Sequence, residues 1–248
     1  MGEISGFLDR PDGERLAWRM VEGAGPTVVW LGGFKSDMAG VKAEALSTWC
    51  QENRQAFCRF DYQGHGASGG DFTDGTIGRW AADAATVLDN LTSGPQILVG
   101  SSMGGWIAAL LARAQPERLH AMIGIAPAPD FTEELMWPQF SPAIRATIAR
   151  EGVWTAPSQY GEGYPITRAL IEDGRRQSVL GGKLPFRFPV RILHGMRDTE
   201  VPWKHALRFI EAIEGDDVRI TLVKDGDHRL SRPQDLALLT STLSRLIA

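Results

Sequence analysis

Short runs rich in β-branched and apolar residues alternate along this chain with longer segments whose apolar residues recur at helical spacing. The runs are "TVVWLGG" (27–33), "AFCRFDY" (56–62), "QILVGS" (96–101), "LHAMIGIAP" (119–127), "VRILHG" (190–195) and "VRITLVK" (218–224). Between them lie Ala39 to Asn53, Thr76 to Leu91, Met103 to Gln115, Trp203 to Ile213 and Pro233 to Ile247. Parallel strands cannot be joined by tight turns, so this rhythm predicts an α/β architecture: a mostly parallel, twisted sheet with helices on both faces. The first residues differ. In "SGFLDRPDGERLAWRMVE" a "PDG" turn separates two strand-like runs, which predicts an antiparallel hairpin at one edge of the sheet.

One interval breaks the rhythm. From Asp130 to Leu184 there is no strand pattern but a set of short helical stretches, "TEELMW", "SPAIRATIARE" and "ITRALIEDG". The second has Ser141 as its N-cap and Pro142 at its first helical position. Phe131, Trp137, Phe140, Trp154, Tyr160 and Tyr164 punctuate the interval. An insertion that leaves one strand's carboxyl end and returns before the next lies over the edge where open α/β sheets bind ligands, so 130–184 is expected to form a helical lid. No repeat, low-complexity tract or long linker divides the 248 residues, and one domain with an inserted cap is expected over residues 1–248.

Composition narrows the function. With 26 basic and 30 acidic residues, a formal charge of −4, there is no basic stripe for nucleic acid. No apolar stretch approaches a membrane span, and the N-terminus shows neither a secretory pattern nor an Arg- and Ser-rich transit segment, so a soluble, cytoplasmic protein is expected. Two cysteines, Cys50 and Cys58, read as reduced packed thiols, and no histidine or cysteine spacing indicates a metal.

Gly100 to Gly104, "GSSMG", matches G-x-S-x-G with Ser102, not Ser101, at its centre. The pattern alone is weak in a glycine-rich chain. Its setting is stronger: a buried-strand run precedes it and the apolar helix "MGGWIAALLARAQ" follows, as a nucleophile elbow requires. A serine hydroxyl needs a base within hydrogen-bond reach and a third group to orient that base. His228, in "KDGDHRLSRP", follows one strand run, and Asp198, in "HGMRDTEVPW", follows another. The order Ser102, Asp198, His228 is therefore complete. Asp130 is the rival acid, because the acid can also follow the earlier strand. His194 is expected to be buried and hydrogen-bonded, His65 structural in its glycine turn, His120 at the wrong edge, and His205 solvated at a helix start. Asp225 and Asp227 are expected to shape the His228 loop.

An oxyanion hole needs backbone N–H groups aimed at the developing charge. Met103, after the nucleophile, is one expected donor. Phe34, in the loop "GGFKSDMAG", is the other, with Gly33 next. Phe34, Trp137, Phe140 and Tyr160 are the expected pocket-lining residues. Arg168, Arg175 and Arg176 could meet a carboxylate but read more simply as a solvated face.

With these residues placed, the chain resembles the α/β-hydrolase superfamily. "GGFKSDMAGVKAEAL", "RFDYQGHGASGG", "GPQILVGSSMGGW", "GVWTAPSQY", "RILHGMRDTEVPW" and "DHRLSRP" together resemble the serine hydrolases of the mitochondrial palmitoyl-protein thioesterase and acyl-glucuronide hydrolase branch. The resemblance runs from about Leu31 to the C-terminal helix. It implies an α/β-hydrolase fold and a serine nucleophile, acid and base at Ser102, Asp198 and His228. It also implies cofactor-free hydrolysis of ester or thioester bonds in a small-molecule or acylated-protein substrate. A carbon-carbon bond hydrolase with the same triad, and a slow or non-catalytic ligand sensor, are the alternatives.

Overall fold

The computed structural model describes residues 2–10, 12–157 and 163–247. An eight-stranded sheet forms its centre, in the order β1-β2-β4-β3-β5-β6-β9-β10. β1 (Ile4–Asp9) and β2 (Arg15–Val21) pair antiparallel at one edge, and β2 continues antiparallel onto β4 (Gln55–Phe60). From there the sheet is parallel: β4 to β3 (Ala24–Leu31), β3 to β5 (Gln96–Ser101), β5 to β6 (Leu119–Ile125), β6 to β9 (Val190–Gly195) and β9 to β10 (Val218–Val223). The fold is the expected one, with the expected edge hairpin.

Successive residues of a strand point to opposite faces, and the two cores divide accordingly. Val28, Trp30, Ile97, Val99, Ala121 and Ile123 face α1 (Val41–Asn53) and α7 (Pro233–Ile247), where Leu46, Cys50, Leu239 and Leu243 are buried. Val29, Leu31, Leu98, Met122 and Ile192 face α2 (Ile77–Leu91), α3 (Met103–Ala114) and α6 (Trp203–Ala212), where Trp80, Trp106 and Phe209 are buried. A strand buried on both faces has no polar side, which is why these segments read as continuous apolar runs.

Residues between β6 and β9 depart from the expected all-helical insertion. They contain α4 (Pro142–Glu151), capped by Ser141 accepting from the Ile144 N–H, and α5 (Arg168–Arg176), capped by Thr167 accepting from the Leu170 N–H. They also contain β7 (Val153–Ala156) and β8 (Tyr164–Thr167), paired antiparallel. Ile166 and Thr167, expected to open a helix, end this second strand. Their β-branched side chains suit the pleated ladder, and the Thr167 hydroxyl caps the helix that follows. The short wide helical turn at Thr132–Met136 occupies the expected "TEELMW" stretch. Tyr160 lies outside the described residues.

Candidate active site

Because β4, β3, β5, β6, β9 and β10 run parallel in the main sheet, the loops after β3, β5, β9 and β10 all emerge at one edge of it. Those loops carry Phe34, Ser102, Asp198 and His228. Ser102 joins β5 to α3 with φ 52° and ψ −117°, a conformation an L-residue adopts at a cost of about 1–3 kcal/mol. The turn closes only because its flanks lack side chains. A Cβ on Gly100 would meet the Gly104 carbonyl, and one on Gly104 would meet the Leu31 and Gly32 carbonyls. The Ser102 N–H donates to the Ile125 carbonyl at 2.9 Å, fastening the strained residue to the neighbouring strand.

Asp198 and His228 are brought together by their loops' backbones. Met196 N–H donates to the Val223 carbonyl (2.9 Å) and Arg197 N–H to that of Gly226 (2.8 Å). Any Cβ on Gly195 would strike the Gly226 and Asp227 carbonyls, so this close approach needs glycine. Asp198 Oδ2 lies 2.7 Å from His228 Nδ1, and His228 Nε2 lies 3.1 Å from Ser102 Oγ. A carboxylate oxygen accepts, so Nδ1 carries the proton and Nε2 presents its lone pair to the serine hydroxyl. The Asp198 side chain is fully enclosed while that of His228 keeps 16% of its surface exposed, which leaves the imidazole reachable from outside.

The Asp198 carboxylate is fully hydrogen-bonded. Its Oδ1 accepts from Glu200 N–H (2.9 Å) and Val201 N–H (2.8 Å), and its Oδ2 is also 3.2 Å from His194 Nε2. Burial pushes the carboxyl pKa up, but hydrogen bonds from His194 and His228 outweigh burial and hold it below the ordinary carboxylate range. His194 is buried, as expected, and its Nε2 also contacts the Val201 carbonyl at 2.9 Å. Its contact with Asp198 leaves no mark in the sequence: four residues apart across a strand-to-loop junction, the two side chains meet only once the loop folds back.

The remaining candidates sort by their partners. Asp130 accepts from Ser178 Oγ (2.6 Å) and from the Val179 (2.9 Å) and Leu180 (2.9 Å) N–H groups, and so ties down the chain after α5. No histidine hydrogen-bonds to it among these contacts. His205, expected at the surface, is buried and its Nε2 donates to the Pro129 carbonyl at 2.6 Å. It opens α6 on the face turned toward the chain leaving β6, and burial lowers its imidazole pKa. His120 Nε2 meets the Leu246 carbonyl at 2.8 Å, at the opposite end of its strand. Asp227 accepts from Leu230 N–H and Asp225 pairs with Arg232, both shaping the His228 loop. Lys42, on α1, was not singled out by sequence. Its Nζ donates to the Arg229 carbonyl at 2.6 Å, bracing that loop, and burial lowers its pKa to about 8.

The loop after β3 passes beside Ser102: a Cβ on Gly33 would lie 3.5 Å from Ser102 Cβ. Met103 is the first residue of α3, where an N–H has no intrahelical acceptor. Phe34's ring touches Phe72 (centroids 5.0 Å), Phe131 (5.9 Å) and Tyr164 (6.3 Å), and so joins the main core to the insertion. Trp137 and Phe140 pack in a separate cluster with Ile148, Ile166, Trp154 and Tyr164, which Phe34 also borders. Arg175 pairs with Glu133 (2.6 Å) and lies over the Trp137 ring (4.9 Å), Arg176 pairs with the buried Asp173 (3.2 Å), and Arg168 with Glu172 (3.8 Å). Among the described residues no cluster of three or more His, Cys, Asp or Glu could hold a metal ion, and no helix is long and apolar enough to cross a membrane.

A parallel sheet whose strand-end loops converge on a strained serine defines an α/β hydrolase of the serine-hydrolase type. Comparison with known proteins makes the assignment narrower. The serine aminopeptidase S33 family profile matches residues 26–170. Mouse "Palmitoyl-protein thioesterase ABHD10, mitochondrial" is 40% identical over 245 residues, covering 97% of this chain and 82% of that one. The structure of mouse α/β hydrolase domain-containing protein 10 superposes with a TM-score of 0.91 at 38% identity, covering 98% of each chain. That of a protein from Agrobacterium vitis S4 assigned to the hydrolases superposes with a TM-score of 0.96 at 42% identity over 100% of both chains. The chain belongs to the α/β-hydrolase family of the ABHD10 palmitoyl-protein thioesterases, and it is a hydrolase. One expectation falls here. The curated relatives from mouse and human are mitochondrial by name, which overturns the cytoplasmic assignment drawn from composition and the first residues.

Proposed function

We propose that this chain hydrolyses acyl esters and thioesters through an acyl-enzyme on Ser102, with His228 as base and Asp198 as its orienting acid. The observation that carries the reading is the continuous hydrogen-bond chain from Ser102 Oγ through His228 to Asp198 Oδ2, at 3.1 and 2.7 Å. Ser102 Oγ attacks the acyl carbonyl as His228 Nε2 takes its proton. The Phe34 and Met103 N–H groups receive the oxyanion. Collapse breaks the bond to the leaving thiol or alcohol, which takes the proton from His228. Water, deprotonated by the same nitrogen, then attacks the acyl-enzyme and releases the acid and free Ser102. Asp198 stays ionised throughout, fixing the tautomer and stabilising the imidazolium. The balance closes on one water and needs no cofactor.

Residues 130–184 act in this reading as a cap on a single catalytic domain, and the aromatic cluster of Phe34, Trp137 and Phe140 favours an apolar acyl group. Tyr160 joins that proposed pocket on sequence grounds alone. The relatives' names point to S-acylated protein as the first natural substrate class to try. The test is turnover of p-nitrophenyl esters and acyl thioesters of graded chain length by the wild type and by Ser102→Ala. The reading expects activity on both bond types, rising with acyl length, and its loss in the variant. Equal turnover by the two proteins, or cleavage confined to peptide amides, would overturn it.

A further inference from the structure

The proposed oxyanion donor Phe34 lies in a loop without regular secondary structure, and Lys35 beside it has φ 57°. Such a loop holds an N–H in a fixed direction only if something outside it supplies partners. The turn after β4 supplies them. Met38 N–H donates to Asp61 Oδ1 at 2.7 Å, and Lys35 N–H donates to His65 Nε2 at 3.2 Å. Asp61 is itself held by the Ala67 N–H on its other oxygen, at 2.8 Å.

The geometry determines which tautomer His65 adopts. Its Nδ1 lies 3.0 Å from the Gln63 carbonyl, which can only accept, so Nδ1 carries the proton. Nε2 then has a free lone pair, and it faces the Lys35 N–H, which can only donate. The neutral Nδ1–H form alone satisfies both neighbours. Burial, at 3% exposure, lowers the imidazole pKa and keeps that neutral form in place. The ring is enclosed edge-to-face by Tyr62 (centroids 5.7 Å), Phe72 (5.1 Å) and Trp80 (5.1 Å). Phe72 and Trp80 also pack against Phe34, at 5.0 and 5.9 Å. One imidazole therefore meets the oxyanion loop twice, by hydrogen bond to its backbone and through shared aromatic neighbours to its side chain.

We infer that His65 is a positioning residue for the oxyanion hole, acting through its Nε2 acceptor on the Lys35 N–H to aim the adjacent Phe34 N–H at the substrate oxygen. The inference rests on the reading of Phe34 as a donor in ester and thioester hydrolysis. It differs from a purely structural role for this glycine-turn histidine because it makes the acceptor atom, not the bulk of the ring, the functional feature.

Three variants separate those roles. His65→Phe keeps the ring packing and removes both polar contacts; His65→Asn keeps a donor near the Nδ1 position but cannot reach Lys35; His65→Gln places an acceptor oxygen near the Nε2 position. With a short-chain p-nitrophenyl ester, His65→Phe and His65→Asn are expected to lower kcat about ten- to a hundredfold, as a misaimed catalytic group does. KM should stay within about threefold, since the lost interaction belongs to the transition state. His65→Gln should recover most of kcat. In the wild type, ring 15N shifts at neutral pH should show a protonated Nδ1 and an unprotonated Nε2. Unchanged kcat in His65→Phe, equal kcat in the Asn and Gln variants, an effect on KM alone, or an Nε2–H tautomer would overturn the inference. If His65→Phe does not fold, the Asn and Gln pair decides. Ser102→Ala run alongside keeps the two readings apart: turnover abolished by Ser102→Ala but retained in the His65 variants removes only the role of His65, whereas turnover independent of Ser102 removes both.

Discussion

The strand-end loops and the inserted segment at 130–184 are built on opposite principles. At the loops, directional hydrogen bonds converge on one carboxylate: Asp198 accepts from two backbone N–H groups and two imidazoles, and glycines bring backbones into contact at Gly100, Gly104 and Gly195. In the insertion, beyond the Asp130 anchor, ring contacts predominate, such as Phe140 on Trp154 at 5.3 Å and Trp137 on Phe140 at 6.1 Å, with ion pairs outside. Directional bonds tolerate little displacement, whereas ring packing accommodates repacking. Substitutions at the loops should therefore act on kcat and on folding, and substitutions in the insertion on which acyl group is accepted.

The sharpest break in that contrast comes from the proposed triad. Ser102→Ala or His228→Ala should lower kcat by about 10⁴-fold or more in a steady-state ester assay, because members of such a unit fail together. Asp198→Asn should approach that loss. The same substitution has a pH signature. A carboxyl whose folded pKa is depressed stabilises the fold in full above its unfolded value of about 4, and that contribution fades as pH falls toward the folded value. Denaturant titrations of wild type and Asp198→Asn should therefore converge below about pH 4. A stability gap that widened in acid would contradict the assignment.

Gly104→Ala comes next. Its Cβ would strike backbone carbonyls rather than a movable side chain, so unfolding free energy should fall by about 3 kcal/mol, read from the urea midpoint. Ser102→Gly should move the opposite way, gaining about 1 kcal/mol as the strain at φ 52° is relieved while turnover is abolished. In the insertion, Phe140→Ala should change the acyl-length profile in KM while leaving kcat for a short ester within about threefold. The smallest effect is expected for Arg175→Ala, under about 0.5 kcal/mol in stability, because its pair with Glu133 is half exposed on both sides. A large effect of Arg175→Ala on KM for a carboxylate-bearing substrate would give the insertion a directional polar contact with substrate and narrow the contrast.

Legibility followed the same division. A strand buried on both faces declares itself as an apolar run, and "QILVGS" and "VRILHG" are strands from end to end. The turn at Ser102 was legible because it needs small residues at fixed offsets, and the loops carrying Asp198 and His228 because each follows a strand run, buried in β9 and half-exposed at the sheet edge in β10. The strands β7 and β8 were not legible: each has four residues, the second containing Pro165, too short for alternation to rise above the helical pattern around them. The burial of His205 is not legible because its hydrogen-bond partner, the distant Pro129 carbonyl, is brought to it by tertiary packing. His194 against Asp198 and Lys42 against the His228 loop are not legible for a related reason. Their contacts depend on how loops fold back over strand ends, and periodicity carries no information about that.

The central claim is that Ser102, held in its strained turn, is the nucleophile. Its most direct measurement is treatment with a fluorophosphonate probe followed by peptide mapping by mass spectrometry. The account predicts a single adduct on Ser102 that disappears in Ser102→Ala and forms far more slowly in His228→Ala. An adduct on the neighbouring Ser101, or labelling unchanged by either substitution, would contradict it.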